Sequence, residues 1–138
     1  MAEKRFFMFV YLFQCEQLKN KQYNNCRNDN EPTYFYVSFH KIKLLKTSHI
    51  ALWDICHSCI RKTSADSEIK DIEPNDIQEL LNRYKNIEKV ICNGRTSQNT
   101  MQKYFPNIQT VYCPSTSSAN ARFSLEQLIE IYKKEIYE

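Results

Sequence analysis

The chain has 138 residues, 42% of them hydrophobic, 25% charged and 13% aromatic, with six cysteines and one glycine. That apolar and aromatic content excludes collagen-like, linker-like and disordered classes, and it predicts a single domain over residues 1–138 with a buried core. The net charge is a mild +3, with eight basic against four acidic side chains in residues 1–50, a bias that suits a polyanion partner and equally suits solvated lysines.

Taken in chain order, Phe6–Phe13 (FFMFVYLF) is almost free of polar breaks and predicts a central strand covered on both faces. It is too short for the ~18 residues that span a bilayer, and it lacks a small-residue cleavage pattern. The six cysteines are therefore expected as reduced thiols of an intracellular protein, cytoplasmic or nuclear, that is not secreted and has no membrane partner. Residues 14–31 are polar and Asn-rich and read as loop. Thr33–Phe39 (TYFYVSF) favours a strand by propensity, although context can make it helical. Apolar residues recur at mixed spacing from Ile50 to Ile60 and set no clear period.

Pro74 and Asn75 open a helix, with Asn75 as the expected N-cap and Gln78 completing a capping box. Ile77, Leu80, Leu81 and Tyr84 supply its apolar stripe. Lys89–Cys92 (KVIC) is a short buried strand ending at Asn93 and Gly94. Ser97–Phe105 reads as a helix and Ile108–Cys113 as a strand. A final helix is capped by Ser124 and Gln127 and carries Leu125, Leu128, Ile129 and Tyr132. Helices and strands alternating at this spacing imply a parallel sheet with right-handed crossovers. Ligands bind beyond the carboxyl ends of such strands, which directs attention to Asn93-Gly94-Arg95 and to the loop after Cys113.

One glycine also excludes chemistry. Phosphate-cradling loops of the P-loop or dinucleotide type need two or three, so a nucleotide cofactor of those kinds is not expected. Cys56-His57-Ser58-Cys59 is a CxxC, compatible with a redox pair or half of a zinc site. It does not directly follow an early strand, and Cys92 and Cys113 form no second pair, so buried thiols on a packed element are the expectation. The loop Pro114, Ser115, Thr116, Ser117, Ser118, Ala119 and Asn120 is either an ordinary polar connection or a surface that offers hydroxyls and backbone N–H groups to phosphates.

Residues 113–121 (CPSTSSANA), followed by Phe123, Ser124, Leu125 and a helix, resemble the final motif of the uracil-DNA glycosylase superfamily. The resembling branch is the hypoxanthine-DNA (deoxyinosine) glycosylases, whose version is PSTSPANA. Residues 50–59 (IALWDICHSC), with Arg61, Ser64, Asp66 and Ile69, resemble that branch's ALWD…SC block, and residues 90–95 (VICNGR) resemble its FNG strand end. Residues 23–28 (YNNCRN) resemble its NPRN segment. The family's opening Gly-Ser turn is absent: Tyr11 or Leu12 stands where it has glycine. Ser118 replaces the loop proline.

The resemblance implies a shortened three-layer α/β/α fold with a central, mostly parallel sheet. It implies a monomeric, monofunctional glycosylase without cofactor or metal, which flips hypoxanthine or uracil out of single- or double-stranded DNA and hydrolyses the N-glycosidic bond. Asn93 would read the base, because one carboxamide complements the acceptor-beside-donor edge of both bases. Asn28 would orient the attacking water. Ser115, Thr116 and Ser117 would grip phosphates, Ala119 and Asn120 would enter the minor-groove side, and Arg95 and Lys62 would add phosphate contacts. Trp53 is expected in the core and Asp54 as a backbone acceptor. Two rivals remain: a catalytically impaired homologue that only binds DNA or a repair partner, and a thiol-redox protein using Cys56 and Cys59.

Overall fold

The computed structural model describes residues 6–11, 32–60, 70–117 and 119–138. The predicted Asn28 and Lys62, Ser118, and the polar segment 14–31 lie outside these residues. Phe6–Tyr11 forms β1, and Ile50–Asp54, Ile87–Asn93 and Thr110–Cys113 form β2, β5 and β6. They make one sheet in the order β2-β1-β5-β6, with every pair parallel. Cys56–Ile60 (β3) and Lys70–Pro74 (β4) pair antiparallel in a separate ribbon.

Pro32–Thr47 is a helix, α1, where propensity alone favours a strand at Thr33–Phe39. Topology overrides propensity here. Strands β1 and β2 are parallel neighbours, and a parallel pair needs a crossover connection that returns the chain to its starting edge. Pro32 also suits a first helical turn, where its missing N–H costs nothing.

The sheet is covered on both faces. On one, Met8, Val10, Val90 and Cys92 pack with Ile55, Ile77 and Met101, drawing in α2 (Ile77–Arg83) and α3 (Arg95–Tyr104). On the other, Ile91 and Cys113 pack with Ile131, Tyr132 and Ile136 of α4 (Leu125–Tyr137). Each fully buried apolar side chain contributes roughly 1.5–3 kcal/mol relative to exposure. The expected α/β/α layering is therefore present around a wholly parallel four-stranded sheet.

Several local expectations shift. The cap of α2 is Asp76, whose carboxylate accepts from the Glu79 N–H at 2.8 Å. Asn75 instead donates its side-chain N–H to the Asp54 carbonyl, also at 2.8 Å, and ties the ribbon to β2. Tyr84 is exposed rather than part of the α2 stripe. In α4 the expected capping box of Ser124 and Gln127 is present. Its buried side is Ile131, Tyr132 and Ile136, while Leu125 and Ile129 face solvent.

Trp53 is 42% exposed near the end of β2, not core. Asp54 does act on backbone: its carboxylate accepts from the Cys56 N–H at 3.0 Å and turns the chain out of the sheet. Cys56 and Cys59 are both buried. Register shifts within β3 explain how residues three apart, which would point oppositely in a regular strand, both turn inward.

Candidate functional site

Parallel strands end on one side, so β1, β2, β5 and β6 deliver Tyr11, Asp54, Asn93 and Cys113 to a common edge. Strand β5 becomes α3 through Gly94, which has φ +96° and ψ 164°. That conformation is open essentially to glycine alone. Gly94 N–H donates to the Cys113 carbonyl at 2.8 Å and so joins the ends of β5 and β6. A Cβ at Gly94 would lie 3.1 Å from the Ser115 Cβ. The single glycine therefore lets the loop after β6 close against the end of β5.

That closeness brings Asn93 to Thr116. The Asn93 Nδ2 donates to Thr116 Oγ1 at 2.8 Å, and the Thr116 backbone N–H donates to Asn93 Oδ1 at 3.0 Å. A backbone N–H can only donate, so the carboxamide has one assignable orientation. Asn93 is half-buried and Thr116 exposed.

The loop base is held independently. Tyr132 of α4 donates its hydroxyl to the Pro114 carbonyl at 2.8 Å, and Asn120 Nδ2 donates to the Ser115 carbonyl at 3.0 Å. Ser115 Oγ accepts the Ser117 N–H and Ser117 Oγ accepts the Ala119 N–H. The Asn120 N–H donates to the Ser117 carbonyl. The amides of Ser117, Ala119 and Asn120 are thus satisfied within the loop, and the Ser115 and Ser117 hydroxyls each keep a proton to donate.

Arg95 begins α3 beside this cluster. Its guanidinium sits 4.1 Å from the centroid of the Tyr112 ring and donates to Gln98 Oε1 at 2.7 Å. Stacked and tethered, this side chain, two positions along the chain from Asn93, holds its positive charge over Tyr112. Ser97 on the same helix is fully buried and donates its hydroxyl to the Val10 carbonyl at 2.9 Å, which anchors the end of β1.

Two thiols lie beneath the site. Burial pushes Cys113 up from the usual 9.0 to about 11, with the Glu135 carboxylate adding to the rise, and burial also raises Cys92. Both are neutral packing groups at physiological pH. Among the described residues no group of three or more His, Cys, Asp or Glu side chains is arranged to hold a metal ion, and no helix is long and apolar enough to cross a membrane.

Of the sequence-predicted residues, the structure brings together Asn93, Pro114, Ser115, Thr116, Ser117, Ala119 and Asn120, while the Arg95 guanidinium lies over Tyr112. Sequence reasoning missed the supporting roles of Tyr112, Ser97 and Tyr132. A tyrosine on the buried stripe of a helix that follows a functional loop was the available signal for Tyr132, since a buried hydroxyl needs a partner.

No family model matches the chain. It is similar to a hypoxanthine DNA glycosylase of Methanosarcina acetivorans, with 36% identity over 89 residues that cover 61% of this chain and 54% of the relative. The match thus spans about half of that relative's length. A solution structure from the same organism, provisionally described as a uracil DNA glycosylase, has the same fold, with a TM-score of 0.62 over 100% of this chain and 94% of the other at 24% identity. In sequence the chain resembles the hypoxanthine-DNA glycosylase branch of the uracil-DNA glycosylase superfamily, and its fold is that of a uracil-DNA glycosylase-like α/β protein.

Proposed function

We propose that the chain acts in base-excision repair as a DNA glycosylase, hydrolysing the N-glycosidic bond of a deaminated base, hypoxanthine or uracil, after the nucleotide leaves the stack. The observation that carries this proposal is the carboxamide of Asn93, presented at the carboxyl end of β5 beside a hydroxyl-rich loop, with its donor-and-acceptor edge already matched by the N–H and hydroxyl of Thr116. Its Oδ1 suits the N1–H of hypoxanthine or N3–H of uracil, and its Nδ2 suits O6 or O4. Adenine and cytosine invert that pair and would set donor against donor and acceptor against acceptor. A polar site built for one pattern rejects the other strongly, because its own buried groups are left unpaired.

The same contact serves the chemistry. As the glycosidic bond stretches, the sugar gains oxocarbenium character and the base gains negative charge, part of it on O6 or O4. Donation from Asn93 Nδ2 then strengthens in the transition state, the condition under which binding accelerates a reaction. Asn28 is the residue proposed to orient the water that attacks C1′. Ser115, Thr116, Ser117 and Arg95, with Lys62, are proposed to contact phosphates flanking the flipped nucleotide, and Ala119 and Asn120 to approach the minor groove.

The test is abasic-site formation on oligonucleotides carrying one uracil, hypoxanthine or xanthine, in single and double strands. Cleavage of the deaminated substrates with no cleavage of the parent bases is expected. The absent Gly-Ser turn after β1 favours a second reading, a homologue that binds DNA without cutting. Salt-sensitive binding with no abasic product on any substrate establishes that reading and refutes the first.

A further inference from the structure

We propose that Thr116 is a built-in surrogate for the base, closing the reading edge of Asn93 until a nucleotide displaces it. This rests on Asn93 as the base reader and adds the identity of what occupies it beforehand. Thr116 offers a donor, its backbone N–H, beside an acceptor, Oγ1. Hypoxanthine offers N1–H beside O6, and uracil N3–H beside O4. The pattern and the order are the same.

The two cannot be read together. A carboxamide has one edge on which its oxygen and an N–H lie side by side, and two bonds from one residue to both atoms occupy that edge. The second N–H and second lone pair of Asn93 point away from each other and offer no paired edge. Withdrawal of Thr116 is local. Pro114 and Ser115 are anchored from α4 and from Asn120, so Thr116 can leave without disturbing the end of β6. Closure keeps the half-buried carboxamide satisfied while no base is bound, and it sets a threshold that adenine or cytosine, with an inverted edge, does not repay.

The experiment measures binding to a single-stranded oligonucleotide carrying one non-cleavable 2′-fluoro deoxyinosine, against the matching adenosine oligonucleotide. Thr116→Val keeps the shape and the N–H but removes the Oγ1 acceptor. It should raise the preference for the inosine probe over the adenosine probe about three- to tenfold, the worth of one hydrogen bond released from competition, since a lost phosphate contact weakens both probes alike, while Thr116→Ser should show no such rise. In the wild-type protein the Thr116 amide should be protected from hydrogen exchange, and saturation with the inosine probe should remove that protection. An unchanged or lower preference for inosine in Thr116→Val, or a Thr116 amide still protected in the complex, overturns the proposal. Asn93→Ala separates the two claims. If it retains the preference for inosine over adenosine, the base-reader assignment fails and the surrogate falls with it. If it loses the preference while Thr116→Val does not raise it, only the surrogate fails.

Discussion

Replacing Gly94 with alanine tests the geometry of the site most economically. The residue has φ +96° and ψ 164°, so a Cβ adds strain of about 1–3 kcal/mol whatever its surroundings. The added atom would also lie 3.1 Å from the Ser115 Cβ and 3.6 Å from the Ser115 Cα. That is tighter than ordinary contact, and the loop must give way. Strain and overpacking together predict a loss of about 2–4 kcal/mol. A domain with a typical stability of about 5–15 kcal/mol remains folded under that loss. Urea denaturation should show a midpoint lower by roughly 1–2 M with an unchanged slope. Displacement of the loop should also part Thr116 from Asn93, and loss of exchange protection at the Thr116 amide would record it. Gly94→Asn should be no better than Gly94→Ala, because asparagine tolerates the left-handed helical region and not ψ near 164°. Wild-type stability in Gly94→Ala, or rescue by asparagine, would refute this reasoning.

The remaining predictions concern the supports of the site. Ser97→Ala leaves the buried Val10 carbonyl without its 2.9 Å partner, and it should cost about 1–3 kcal/mol in denaturant unfolding. Tyr132→Phe removes the bond to the Pro114 carbonyl; it should cost about 0.5–1.5 kcal/mol and speed exchange at loop amides while leaving the far end of the sheet unaffected. Because the Cys113 thiol is raised from 9.0 to about 11, its contribution is intact below pH 9. Above that the unfolded chain loses the proton that the folded chain retains, so stability should fall from pH 9 to 11, by on the order of 2–3 kcal/mol. Cys113→Ala should flatten that fall, and an unchanged slope would count against the burial of this thiol.

The second half of the fold was legible because its signals are local. Ser124 and Gln127 stand at capping-box spacing, and the apolar run that ends at Asn93 and Gly94 marks a buried strand. Failures arose where distant parts of the chain decide the outcome. Thr33–Phe39 is rich in aromatic and β-branched residues, yet the parallel pairing of β1 with β2 demands a crossover. The α2 cap moved from Asn75 to Asp76 because the Asn75 side chain is drawn to the Asp54 carbonyl, 21 positions earlier. Asn93 was legible as a candidate base reader from its carboxamide and its place at a strand end. Its pairing with Thr116 was not, since that depends on how closely the loop passes Gly94, a fact of three-dimensional contact. The lone glycine was visible as a count, and its backbone conformation explains why that position keeps it.

The most direct test of the central claim compares abasic-site formation from single hypoxanthine residues in DNA by the wild-type protein and by Asn93→Ala. Excision by the wild type, absent on adenine and lowered by about a hundredfold or more in Asn93→Ala, is the expected result. Excision that is undiminished in Asn93→Ala, or no excision by the wild type on hypoxanthine or uracil in either strand context, contradicts it.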